Sequence, residues 1–172
     1  MPIAQSVVYG LQSFTLQPCS MTVVKRYAAR FYSSTLGTMK TKPELELSDI
    51  KRIAAAAEAE ALKNQWAVTI AIVDDGGHLL HLQRLDGAAP VSAHIAPAKA
   101  RTAALGRRES KGYEDVINGG RTAFLSVPVL DGLLEGGVPI VKDGQCLGAV
   151  GVSGVKSSED AQIAKVGIAA LG

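Results

Sequence analysis

Two stretches of this 172-residue chain leave little freedom of backbone. Trp66 to Val73 is an unbroken apolar run containing Val68, Ile70, Ile72 and Val73, too rich in β-branched side chains to continue a helix. Asp74-Asp75-Gly76-Gly77 ends it in a turn, and His78 to Leu85 reads as the returning strand. Gly137 to Val141 and Gln145 to Ser153 repeat the arrangement around Lys142-Asp143-Gly144. Two such ribbons with helical sequence between them predict an α+β protein: an antiparallel sheet built from two hairpins and covered by helices, not a doubly wound parallel sheet.

The helical segments carry their own punctuation. Ser48 is a natural N-cap with Asp49 in the first turn, and Ile50, Ile53, Ala54, Ala57, Ala61 and Leu62 form one apolar stripe to about Asn64. From Val91 to Leu105 the spacing of Ala93, Ala96, Ala100, Ala103 and Ala104 predicts a closely packed helix, with Pro97 kinking it or marking its first turn and Gly106 stopping it. Residues 107–136 are loop-rich, with Gly119-Gly120 and Pro128 as breakers and room for one short helix. Ser157 or Ser158 caps a final helix towards Leu171, with Glu159 and Asp160 in its first turn.

Charge divides the chain into residues 1–43 and 44–172. All 16 acidic residues lie at or after Glu44, whereas Lys25, Arg26, Arg30, Lys40 and Lys42 precede it, leaving 13 of the 18 basic residues for the remainder and a net charge of −3 there. In the first part Val24, Tyr27, Ala28 and Phe31 share one helical face, and Lys25, Arg26 and Arg30 lie away from it. An acid-free, hydroxyl-rich, basic amphipathic start is the composition of a mitochondrial transit peptide, which predicts a mitochondrial protein. If Met39 is the true start, the cytoplasm is expected instead, and an ordered arm in an oligomer is a third reading. A transmembrane segment is not expected, because Gln5, Ser6, Gln12, Ser13, Gln17 and Pro18 interrupt the uncharged run. Nor is nucleic-acid binding, since the acidic remainder lacks a basic face and aromatics are only 5% of the chain. Cys19 and Cys146 make neither a disulfide framework nor a CxxC pair and are expected to be free thiols.

Few residues advertise chemistry. His78 and His81 invite a metal or haem reading, but three positions apart in a strand they point to opposite faces: His78 with Leu80, Leu82 and Arg84, His81 with Leu79, Gln83 and Leu85. His94 groups with Ala98 and Arg101 on the second helix without the Glu of an HExxH site, so a structural role is expected and no dedicated metal site. Lys99 and Thr102 share a helical face and could hold a carboxylate or propionate, against the alternative of a solvated Lys beside a satisfied Thr. Arg84 could form a second anion clamp or pair with Asp86. Gly144, Gly148, Gly151 and Gly154 expose the last ribbon's backbone to a ligand or to a packed helix. Their spacing is neither GxGxxG nor a P-loop, Ser153 is out of register for GxSxG, and no catalytic triad or carboxylate dyad is evident.

Taken together, the segments Ala71 to Leu80, Arg84 to Ala88, Ile95 to Ala104, Gly136 to Ile140 and Gly144 to Gly154, with the closing helix and its Asp160, resemble the GlcG/HbpS family. Its domain carries a haem-degrading label and also forms the C-terminus of PduO-type proteins. The resemblance runs from about Leu47 to Leu171, and the N-terminal extension and Pro97 depart from it. It implies a profilin/PAS-like α+β fold, a homo-oligomer, and in some members haem or corrinoid binding. Carried onto this chain, the family's motif positions nominate Arg84, Lys99, Thr102 and Gly137 for a small-molecule ligand. Three functions follow as expectations. The first is an oligomer that binds haem or another tetrapyrrole, with His78 or His81 as axial ligand and Lys99 or Arg84 on the propionates. The second is an enzyme or accessory factor acting on a small carboxylate or hydroxy acid, with Lys99 as anion holder or base. The third is a ligand-free structural subunit of a larger assembly.

Overall fold

The computed structural model describes residues 41–172; the basic amphipathic segment, Cys19 and the compartment inferred from them lie outside the described residues. The chain enters helix α1 (Leu47–Lys63) two residues earlier than Ser48 would cap it, with Glu46 at the N-cap. The Asp49 carboxylate accepts the Glu46 backbone N–H at 3.0 Å, so a first-turn acid closes the helix start and Ser48 sits exposed inside it. Hairpin β1 (Thr69–Asp74) and β2 (Leu79–Arg84) follows, then α2 (Ser92–Gly106). Pro97 lies in the second turn of α2, so it marks no first turn, and the helix runs on through it. Arg107, in the left-handed region at φ 51°, ends that helix one residue past the predicted Gly106 stop. The loop-rich stretch holds α3 (Lys111–Asn118) and a 3-10 turn (Thr122–Ser126). Hairpin β3 (Gly137–Lys142) and β4 (Gln145–Ser153) and helix α4 (Ser157–Ala169) complete the order.

All strand pairs are antiparallel in the order β2-β1-β4-β3, so the hairpins lie side by side with β1 and β4 central. This explains the continuous apolar runs, since a central strand is covered on both faces. On one face Ile70, Ile72, Val138, Ile140, Val150 and Val152 meet Ile50, Ile53, Ala54, Ala57 and Ala61 of α1 and Ile163 and Ala164 of α4. Each large side chain withdrawn fully from water there contributes about 1.5–3 kcal/mol. On the other face Val73 and Ala149 meet Ala100, Ala103 and Ala104 of α2. Gly151 permits this close approach, since an added Cβ there would stand 2.1 Å from the Ala96 carbonyl oxygen, whereas one on Gly148 would stand 2.2 Å from the carbonyl oxygen of Val73 in the neighbouring strand.

Register corrects one sequence expectation. Ile72 pairs with His81 but Val73 pairs with Leu79, so Leu80 is an extra residue in a bulge. The bulge moves Leu79 off the face of His81 and onto the α2 side of the sheet. His78 precedes the strand altogether and belongs to the turn. Among the described residues no helix is long and apolar enough to cross a membrane.

Where α2 begins, it is tied to the sheet by a buried hydroxyl pair. Thr69 Oγ1 lies 2.6 Å from Ser92 Oγ, and Ser92 Oγ donates to the Ala89 carbonyl at 2.6 Å, so Thr69 is the donor of the first bond. Ser92→Ala would strand the fully buried Thr69 hydroxyl and is expected to cost about 1–3 kcal/mol. Thr69→Val removes donor and need together, so it is expected to cost less, and the double variant should be more stable than Ser92→Ala alone. Urea denaturation of the three variants checks the order.

Candidate functional site

Three of the nominated residues converge on the inner side of α2. Lys99 is 2% exposed. Its Nζ donates to Asp160 Oδ2 at 2.8 Å and to the Val152 carbonyl at 3.0 Å. Fully buried Thr102 accepts the Gly132 N–H at 3.2 Å. Gly137 lies under the same turn, where an added Cβ would stand 2.2 Å from the Lys99 carbonyl oxygen, and its N–H donates to Ser110 Oγ at 2.9 Å. The solvated Lys is therefore not what is found. Lys99 reaches past the sheet to the first turn of α4, so one ammonium joins both helix layers. Burial pushes the Asp160 carboxyl above the usual carboxylate range, against the hydrogen bond and charge of Lys99 and the Val155 N–H, which pull it down.

Arg84 is not among them. It is exposed at the end of β2, opposite Thr69, and forms no ion pair with Asp86 or any other described residue. His81 is half-buried on the α1 side, its Nε2 out of solvent and without a hydrogen-bond partner among the described residues. His78 is exposed, with Nδ1 3.0 Å from Asp74 Oδ2. Asp74 is a local organiser: Oδ1 accepts the backbone N–H of Gly76 at 2.9 Å and of His78 at 2.8 Å. Desolvation raises its pKa, but these bonds and the imidazole outweigh it and hold the carboxyl below the usual range. Among the described residues no group of three or more His, Cys, Asp or Glu is placed to hold a metal ion. Cys146 is a free, half-buried thiol whose Sγ lies 3.4 Å from the Gly148 carbonyl.

The open feature beside this cluster is a groove of about 170 Å³ between α2 and β2. Val73, Leu79, Pro97 and Ala98 give it an apolar floor, and His94, Arg101 and Asp131 supply the polar groups. His94, Ala98 and Arg101 project together because they are spaced i, i+4, i+7 on one helix face. That periodicity was visible in the sequence, yet only the bulge, which turns Leu79 towards α2, reveals that the face borders a cavity. Asp131 comes from the loop-rich stretch, where no periodic signal could have indicated it. Leu79, Leu82 and Leu105 remain exposed around the same side of the sheet.

The residues 45–169 match the family described as haem degrading protein HbpS-like. Protein GlcG of Escherichia coli (strain K12) is 60% identical over 115 residues, a span that covers 67% of this chain and 85% of that protein. A crystal structure of an HbpS double mutant from Streptomyces reticuli superposes with a TM-score of 0.73 at 29% identity, covering 81% of this chain and 94% of the other. The crystal structure of a PduOC–haem complex does so with a TM-score of 0.69 at 30% identity, covering 74% and 95%.

Proposed function

The chain belongs to the HbpS-like family, and on that premise we propose that it is an oligomeric small-molecule-binding protein whose ligand is haem or another tetrapyrrole. The observation that carries this reading is the α2–β2 groove, an apolar floor with the guanidinium of Arg101, the imidazole of His94 and the carboxylate of Asp131 in its lining. Such a floor suits a flat macrocycle, and the exposed guanidinium of Arg101 suits a propionate. Arg84 is a second available cation on the same side of the sheet. Lys99 is not, because its charge is already matched by Asp160; this also favours binding over catalysis with Lys99 as base.

For the axial ligand, His78 and His94 are the residues that fit. His94 lines the groove, and His78 stands between two residues that do, Gly77 and Leu79. The Nδ1 contact of His78 with Asp74 fixes the ring and leaves Nε2 free, an arrangement that orients and strengthens an imidazole ligand. His81 faces the other layer, under α1.

A groove of about 170 Å³ is smaller than the 300 Å³ or more that usually encloses a ligand of drug size. A second copy seated on exposed Leu79, Leu82 and Leu105 supplies the missing wall in this reading. Haemin added to the purified protein is expected to give a saturable Soret shift that weakens in Arg101→Gln and in His78→Ala or His94→Ala, and native mass spectra should show haem on a multimer. A shift that never saturates, or one that all three variants leave unchanged, would sink the assignment.

A further inference from the structure

A second cavity lies on the opposite side of the hairpin and has a different chemistry. It measures about 320 Å³ and is lined by Glu58, Leu62, Gln65, Trp66, Ala67, Leu85 and Asp86. Trp66 and Leu85 are fixed, because both pack against the α1–α4 core. Glu58 and Leu62 project together, four residues apart in the last turns of α1. Asp86 follows β2 in a turn closed by the Ala88 N–H on the Leu85 carbonyl at 3.1 Å. Every ionisable group in the lining is thus a carboxylate. Neither Glu58 nor Asp86 forms an ion pair with a described residue, and the lysine nearest Glu58 in sequence, Lys63, pairs with Glu60 at 3.7 Å. The C-terminal end of α1 adds its partial negative charge to the same place.

An indole, two leucine walls and two unpaired carboxylates in one concavity select for a cation with an apolar skin. We propose that this cavity is a binding site for a small organic ammonium ion, held over Trp66 by cation–π attraction and by the charges of Glu58 and Asp86. The site is independent of the tetrapyrrole groove, since the two share no lining residue. An anion or a neutral sugar would gain nothing from this charge pattern.

Trp66 is the single tryptophan of the chain, so tryptophan emission, excited at the red edge where the four tyrosines no longer absorb, reports on this cavity. Choline chloride titrated into the full chain, against sodium chloride at matched ionic strength, is expected to change the emission saturably, with half-saturation on the order of millimolar. Its uncharged isostere 3,3-dimethylbutanol should not. Glu58→Gln with Asp86→Asn, the first half-buried, the second exposed and both without an ion-pair partner among the described residues, should weaken the choline response roughly tenfold while leaving the urea midpoint near that of the wild type. Equal responses to choline and the isostere, or an unchanged response in the double variant, would overturn the proposal. So would saturation by a lysine-bearing peptide but not by choline, which would replace a small molecule with a protein partner.

Discussion

Asp160→Ala is expected to cost about 3–5 kcal/mol of folding stability, measured by urea denaturation at neutral pH. Lys99 would keep only the Val152 carbonyl at 3.0 Å as a partner, and with 2% exposure it cannot turn to water. The loss is the penalty of an unmatched buried charge, not the net worth of the pair. Lys99→Met combined with Asp160→Leu should therefore recover much of it, because two apolar groups need no partners. Lys99→Met alone leaves the opposite orphan, and its pH dependence has a definite sign. Burial raises the Asp160 carboxyl above its ordinary 3.8, and Lys99 is the largest opposing influence. Without Lys99 the folded carboxyl is raised further, and between 3.8 and the raised value the folded chain holds a proton that the unfolded chain has released. Its contribution to stability is full at low pH and is lost as pH rises through the folded value. The deficit of Lys99→Met against the wild type should accordingly shrink as pH is lowered from 7 towards 4. A deficit that stays constant would show that Asp160 does not titrate there.

The hairpins were legible because their signals are local: β-branched runs and Asp-Gly turns act over a few residues. The stripes of α1 and α2 were legible for the same reason. In α2 the stripe even held a warning. Lys99 lies three residues after Ala96 and four before Ala103, and Thr102 lies three after Lys99, so the spacing that buries Ala96, Ala100 and Ala103 carries both inward with them. A lysine on an alanine stripe implies a buried charge with a partner. Which of the acids would meet it was not readable, since Asp160 lies 61 residues away. The bulge opposite Ile72 and Val73 was equally hidden, because the Leu79-Leu80 pair permits either register until β1 selects one. From that one extra residue follows the facing of Leu79, and with it the floor of the groove.

Gly151→Ala should show how strictly the sheet sets the position of α2. The added methyl would stand 2.1 Å from the Ala96 carbonyl oxygen, 2.5 Å from the Ala100 nitrogen and 2.9 Å from the Ala100 Cβ. The first two are backbone atoms, which no rotamer change can move aside. Overpacking by flexible side chains typically costs 1–3 kcal/mol, and a clash of backbone with backbone belongs at or above the top of that range, about 3 kcal/mol or more. Gly112→Ala is the natural control: in α3 its Cβ would meet nothing nearer than Arg108 Nε at 3.7 Å, so the change should be neutral or stabilise by up to about 1 kcal/mol. Where the damage falls is also specified. Trp66 packs with the α1–α4 layer, whereas Gly151 presses on α2, across the sheet. Native tryptophan emission and any choline response should persist in Gly151→Ala, while amide exchange in α2 accelerates and haemin binding falls, since His94, Pro97, Ala98 and Arg101 all move with that helix. If haemin binding survives a demonstrated displacement of α2, the ligand does not sit in the groove.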